Sequence, residues 1–123
     1  MIAISIYKLL HILGIMMIFA SLGGMIHYVI NGGTKAQNRW QKAAAATHGL
    51  GMVLVLLGGF GMLARLGIHW PWPGWIFGKI IIWLILGGII AFVYRLPNAG
   101  KALWYIVLLL GALAAYLAIM QPF

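Results

Sequence analysis

The run Tyr7–Tyr28, YKLLHILGIMMIFASLGGMIHY, is long and apolar enough to cross a bilayer as a single helix, yet it carries Lys8, His11 and His27. Hydrocarbon accepts an ammonium or an imidazole only where that group is paired, hydrated or ligating something. The chain has no Asp and no Glu, so no side-chain carboxylate is available to neutralise these groups. Their partners must come from backbone carbonyls, water, lipid or a bound ligand.

The same absence removes several chemistries. Carboxylate acid–base pairs, glycoside hydrolysis, carboxylate-held magnesium, carboxylate-bridged metal pairs and intramembrane carboxylate proton relays are all excluded. With no cysteine, disulfides, thiolate zinc sites and iron–sulfur clusters are excluded as well. Of 123 residues, 65% are hydrophobic and 7% are charged. A soluble domain would carry about a quarter charged residues. The expected solvent is therefore the lipid bilayer. A net charge of +8 raises the question of nucleic acid. Here the cations stand singly at the ends of apolar runs, as topology signals and partners for anionic lipid or ligand groups, so no nucleic-acid partner is expected.

Hydropathy and turn residues divide the chain into four spans, at about 3–30, 43–64, 75–94 and 101–120. Gly32 and Gly33 end the first. No cationic segment precedes it and no small-residue cleavage site follows, so it does not read as a removable signal. The first loop holds Lys35, Arg39 and Lys42. The second, IHWPWPGW, has prolines that block helix continuation and tryptophans suited to an interface. The third is Leu96-Pro97-Asn98-Ala99-Gly100, behind Arg95. Short loops make neighbouring helices antiparallel. The expected fold is all-α, an integral membrane four-helix up-down-up-down bundle forming a single transmembrane domain over residues 1–123. The cations of the first and third loops place both termini outside, in the periplasm for a bacterial inner-membrane protein. Gly74 and Gly78, and Ala114 and Ala118, have the small-residue spacing that lets helices pack closely in lipid.

Depth along each helix, at about 1.5 Å per residue, groups the polar residues into two layers. His11 and Lys79 both come out about 8 Å to the outer side of the midplane, with Lys8 and His69 beyond them. His27 and His48 fall in an inner layer. Ala20, Gly23 and Gly24 share the face of His27, and Ala44, Ala45, Gly51 and Gly59 that of His48. A histidine among small residues leaves room for something flat, and a porphyrin is flat and takes a neutral imidazole as axial ligand. Arg39 and Arg95, with Lys35, Lys42 and Lys101, lie at the inner edge, where heme propionates would need cations. His11 and His27, 16 residues apart, point to nearly opposite faces. One helix therefore cannot hold two stacked hemes: either one histidine alone serves a heme inside the bundle, or one faces a neighbouring subunit, and a homodimer is the expected assembly. Each polar residue also has a plainer reading. A membrane histidine can simply bond a neighbouring helix, Lys8 and Lys79 can snorkel, and His69 can sit at the surface among tryptophans.

Lys8-Leu9-Leu10-His11-Ile12 at the start of the first span resembles the K-x-L-H-I entry of the HemJ-type protoporphyrinogen oxidases. It is also similar to small four-helix membrane families that include the copper-resistance CopD domain. Trp75-Ile76-Phe77-Gly78-Lys79, opening the third span, is similar to the W-x-x-x-K segment of the HemJ type. The resemblance implies functional roles for His11 and Lys79 and a bound heme b. Three readings follow. The first is a membrane-embedded b-type heme protein in electron transfer or heme-linked redox chemistry, possible partners being quinol or a porphyrin substrate. The second is a protoporphyrinogen oxidase-like enzyme. The third is a non-catalytic membrane subunit or copper-handling protein. The expected axial ligands are His11, His48 and then His27, with Lys79, Arg39 and Arg95 contacting substrate or propionates.

Overall fold

A computed structural model describes residues 3–123; Met1 and Ile2, the first two residues of the expected domain, lie outside the described residues. Among the described residues there are four α-helices: α1 (Ile4–Ile30), α2 (Gln41–Arg65), α3 (Gly74–Ile89) and α4 (Gly100–Met120). Short 3-10 turns at Lys35–Gln37 and Pro97–Ala99 lead into α2 and α4. Among the described residues there is no strand. Three helices, α1, α2 and α4 with its leading turn, are long and apolar enough to cross a membrane.

Glycine ends the first two helices. Gly32 has φ +87° and Gly67 φ +71°, a left-handed conformation that only glycine adopts cheaply. After α1, the Gly32 N–H donates to Val29 O and the Gly33 N–H to Tyr28 O. After α2, the Gly67 N–H donates to Ala64 O and the Ile68 N–H to Leu63 O. Both are Schellman closures, which satisfy the last carbonyls before the chain turns away. Helix α3 differs from the expected span of about 75–94: it has 16 residues and ends at Ile89. The chain continues in tighter turns, the Ala91 N–H donating to Gly88 O and the Phe92 N–H to Ile89 O. Gly87 and Gly88 weaken the helix there, and hydropathy cannot register that change because residues on both sides are equally apolar.

The apolar core is built from α1, α3 and α4. Ile18, Leu22, Met25, Ile26 and Val29 of α1 pack with Ile82, Leu86 and Ile89 of α3, Val93 beyond it, and Leu103, Val107 and Leu117 of α4. The fully buried residues of α2 are of another kind: His48, Gly51 and Gly58. This helix is held against α1 by backbone proximity. A Cβ on Gly14 would stand 2.7 Å from Gly51 O and 2.8 Å from Val55 N, and one on Gly58 would stand 2.6 Å from both His11 N and Tyr7 O. Position numbers rise along α1 as they fall along α2, so the two run in opposite senses. Gly74 and Gly78, expected to allow close backbone approach, instead receive the side chains of Phe123 and Leu117.

Candidate functional site

Helix α2 lies tight on α1 but stands off α3, and two side chains make hydrogen bonds across the gap while Met52 packs over Gly87. Trp83 of α3 donates its indole N–H to Met52 O of α2 at 3.0 Å. His48 of α2 reaches Leu86 O of α3 through Nε2 at 3.1 Å. Towards the N-terminal end of α1 the gap opens into a cleft of about 560 Å3, counting its open mouth. His11, Lys79, Phe60, Trp75 and Trp83 are among its lining residues, with Met62 in the α2 wall. Phe60 also belongs to an aromatic cluster with Trp72, Trp70 and Phe77, whose ring centroids are 5.2–5.8 Å apart.

The position of His11 follows from the glycines. Gly58 brings α2 against the His11 backbone, and a Cβ on Gly59 would lie 3.4 Å from His11 Cε1, so the ring lies along the α2 surface. His11 Nδ1 is 2.8 Å from Val55 O. A carbonyl can only accept, so Nδ1 carries the proton and, in the neutral ring, Nε2 keeps its lone pair. This backbone anchoring is the one that metal-ligating histidines commonly use to fix ring orientation. Lys79 shares the cleft and is half-buried. Among the described residues, no hydrogen bond or ion pair engages its ammonium group.

The structure thus brings together His11 and Lys79, and it keeps the other candidates apart. His48 is 4% exposed and its Nε2 is committed to Leu86 O, which leaves only Nδ1 as a bare nitrogen. His27 is exposed on the opposite side of α1. It accepts a long bond of 3.4 Å from Asn31 Nδ2, and its ring centroid lies 6.3 Å from that of Trp104. Lys8 and His69 are exposed. Arg39 and Arg95 are exposed too, at the end of the bundle where α1 finishes. His11 lies about 28 Å of helix rise from that end, so neither arginine reaches its cleft.

The small residues that the sequence associates with His27 and His48 have other neighbours. Ala20, Gly24 and Ala44 line a second cleft, between α1, α2 and the first loop, and neither histidine is among its lining residues. Gly51 meets Gly14, and Gly59 accommodates His11. Helical spacing assigned these residues to a shared face correctly in one dimension, but the partner helix determines what fills that face. The Gly14–Gly51–Gly58 contact and the Trp83–Met52 bridge escaped sequence reading. Their only signal was a glycine spacing of seven on α2, from Gly51 to Gly58. Among the described residues, no three of His, Cys, Asp and Glu come together as a metal cluster. No protein-family model, curated protein or solved structure matches the chain.

Proposed function

We propose that the chain is an integral membrane protein, an up-down-up-down bundle of four spans, that binds one b-type heme through His11 in the cleft between α2 and α3. The observation that carries this reading is the anchored imidazole: Nδ1 bonded to Val55 O, Nε2 bare, in an apolar cleft that also holds an unpartnered cation. Neutral imidazole is the best axial heme donor in a chain without cysteine. Met62 is the other soft donor in the same wall. Lys79 takes the place expected for Arg39 and Arg95 as the partner of a propionate, since an ammonium in an apolar wall is stabilised by a carboxylate. Bound there, heme supplies one-electron chemistry that these side chains lack. The topology that accompanies this reading has both termini outside and the cationic first and third loops inside.

Oxidised and reduced visible spectra of protein purified in mild detergent test it. The parent is coloured, and His11→Ala loses the heme or turns it high-spin, while His48→Ala and His27→Ala keep the parent spectrum. A colourless parent after expression with ample heme rejects the reading. Loss of colour on removing His48 or His27, with His11→Ala unchanged, rejects the ligand assignment.

A second reading is favoured by Lys79 itself. An unpartnered ammonium beside a bare imidazole nitrogen suits a carboxylated porphyrin-type substrate, as the resemblance of Trp75–Lys79 to the HemJ type implies. Lys79 would hold a carboxylate and His11 Nε2 would accept a proton. Porphyrinogen turnover by protein that shows no heme spectrum, lost in both Lys79→Ala and His11→Ala, would select this reading over heme-linked electron transfer.

A further inference from the structure

We propose that the second cleft, between α1, α2 and the first loop, holds one acyl chain of an anionic phospholipid, with the lipid phosphate at the loop. This rests on the bilayer being the solvent of the chain and not on the heme. The cleft encloses about 650 Å3, counting its mouth. Its walls are Ala20, Gly24, Met25 and Ala44. A Cβ placed on Gly24 would meet nothing within 4 Å, so there is open space directly against the α1 backbone.

The polar groups in this cleft decide what it can take. The Ser21 hydroxyl is 2.7 Å from Met17 O and 3.0 Å from Ile18 O, and the Thr47 hydroxyl donates to Ala43 O at 2.7 Å. Asn38 donates through Nδ2 to Tyr94 Oη at 2.9 Å and accepts the Trp40 N–H through Oδ1 at 3.0 Å. With these groups committed, a polar solute would give up its hydration without replacement, whereas a hydrocarbon chain gives up nothing. Two donors at the rim are different. Among the described residues, the Tyr28 hydroxyl and the Trp40 indole N–H have no hydrogen-bond partner. Lys35, Arg39 and Lys42, all exposed, stand in the same loop and at the start of α2. Neutral donors and cations at a rim, above an apolar wall, match the ester and phosphate oxygens of a phospholipid. With no acidic side chain anywhere in the chain, the match favours an anionic headgroup over a zwitterionic one.

Native mass spectrometry from mild detergent, with phosphatidylglycerol or phosphatidylcholine added, tests this. One phosphatidylglycerol is retained in preference to phosphatidylcholine. Gly24→Leu fills the cleft and weakens retention by about tenfold or more, because the acyl chain loses its place. Gly23→Leu is the control: its Cβ also meets open space, but Gly23 does not line the cleft, so retention is unchanged. Each of Arg39→Gln and Lys42→Gln lowers the preference for phosphatidylglycerol by about fivefold. Phosphatidylglycerol with a photoreactive acyl chain, used on the parent protein, labels residues 20–28 or 38–47. Four results would overturn the proposal: equal retention in Gly24→Leu, labelling elsewhere, no preference between the two lipids, or inorganic phosphate displacing the lipid. The spectrum of the His11 variant has no bearing on any of them, so the two readings fail independently.

Discussion

Helix α2 has two neighbours and meets them in opposite ways. Against α1 it presents glycines, and the two backbones approach until no Cβ fits at Gly14, Gly51 or Gly58. Against α3 it presents His48 and Met52 and accepts Trp83, so the contact is made by long side chains, two of them reaching carbonyls across a gap. In the bilayer we propose for this chain, lipid tails are as apolar as leucine, so burying leucine gives helices little reason to associate. Close backbone packing and interhelical hydrogen bonds are the alternatives, and α2 uses one on each side. The tight side fixes the His11 ring, and the open side leaves the cleft that His11 and Lys79 share. The site exists because the two contacts differ.

The tight side should be the less forgiving. Gly58→Leu would drive a side chain into the backbone at Tyr7 and His11, where nothing flexible can give way. Overpacking of this kind costs about 3 kcal/mol, and a misplaced α1 would take His11 out of the cleft. Thermal unfolding in detergent checks the stability, and the visible spectrum checks the site. A Gly58→Leu protein that melts with the parent would break the comparison outright. Gly51→Ala is a milder version, since its Cβ would lie 2.8 Å from Gly14 O, and it should cost about 1–2 kcal/mol.

The open side should fail more gently. His48→Ala removes a buried ring and leaves Leu86 O without this partner, at a cost of about 2 kcal/mol. Trp83→Phe keeps most of the ring volume but loses the bond to Met52 O, at a cost of about 1 kcal/mol. The two residues bridge the same pair of helices, so a double-mutant cycle should show coupling between them. Strict additivity of the two losses would mean that each bond acts locally and that together they do not define the gap.

The four helices and the pairing of His11 with Lys79 are legible in the residues themselves. Four apolar runs separated by Gly-Gly, Pro-rich and Pro-Asn-Ala-Gly segments are four helices, because these segments disfavour helix continuation, although α3 ends before the last of them. The placing of His11 and Lys79 at one depth used helix rise and an expected alternation of direction, which depend on local geometry and loop length alone, and both residues line one cleft. Which face of α2 meets which neighbour is not legible in the same way. Apart from Gln41, Lys42, His48 and Arg65, α2 is apolar or small, so hydrophobic periodicity carries little orientation, and the glycines read as a cradle for His48 when Gly51 is a contact with Gly14. The early end of α3 is hidden for a related reason: Ile89 and Phe92 are equally apolar, and only the preceding glycine pair hints at the change.

The smallest expected effect sharpens the comparison most cleanly, because it separates glycines that serve packing from a glycine that does not. Gly49 lies two residues before Gly51 on the same helix, but on a face where a Cβ would meet nothing within 4 Å. It is exposed, inside α2, and has no positive φ that would require glycine. Glycine inside a helix is less favourable than alanine by about 0.5–1 kcal/mol because of the backbone freedom it loses. Gly49→Ala should therefore raise stability by about 0.5 kcal/mol, a small increase in the melting temperature, with the visible spectrum of the proposed heme unchanged. Gly51→Ala should move the melt in the opposite direction. If both alanines destabilise, Gly49 also meets a helix in the native state, and the second copy of a homodimer is then the natural candidate. Repeating the two melts under conditions that separate monomer from dimer would decide that case, since the penalty at Gly49 would vanish in the monomer while that at Gly51 would remain.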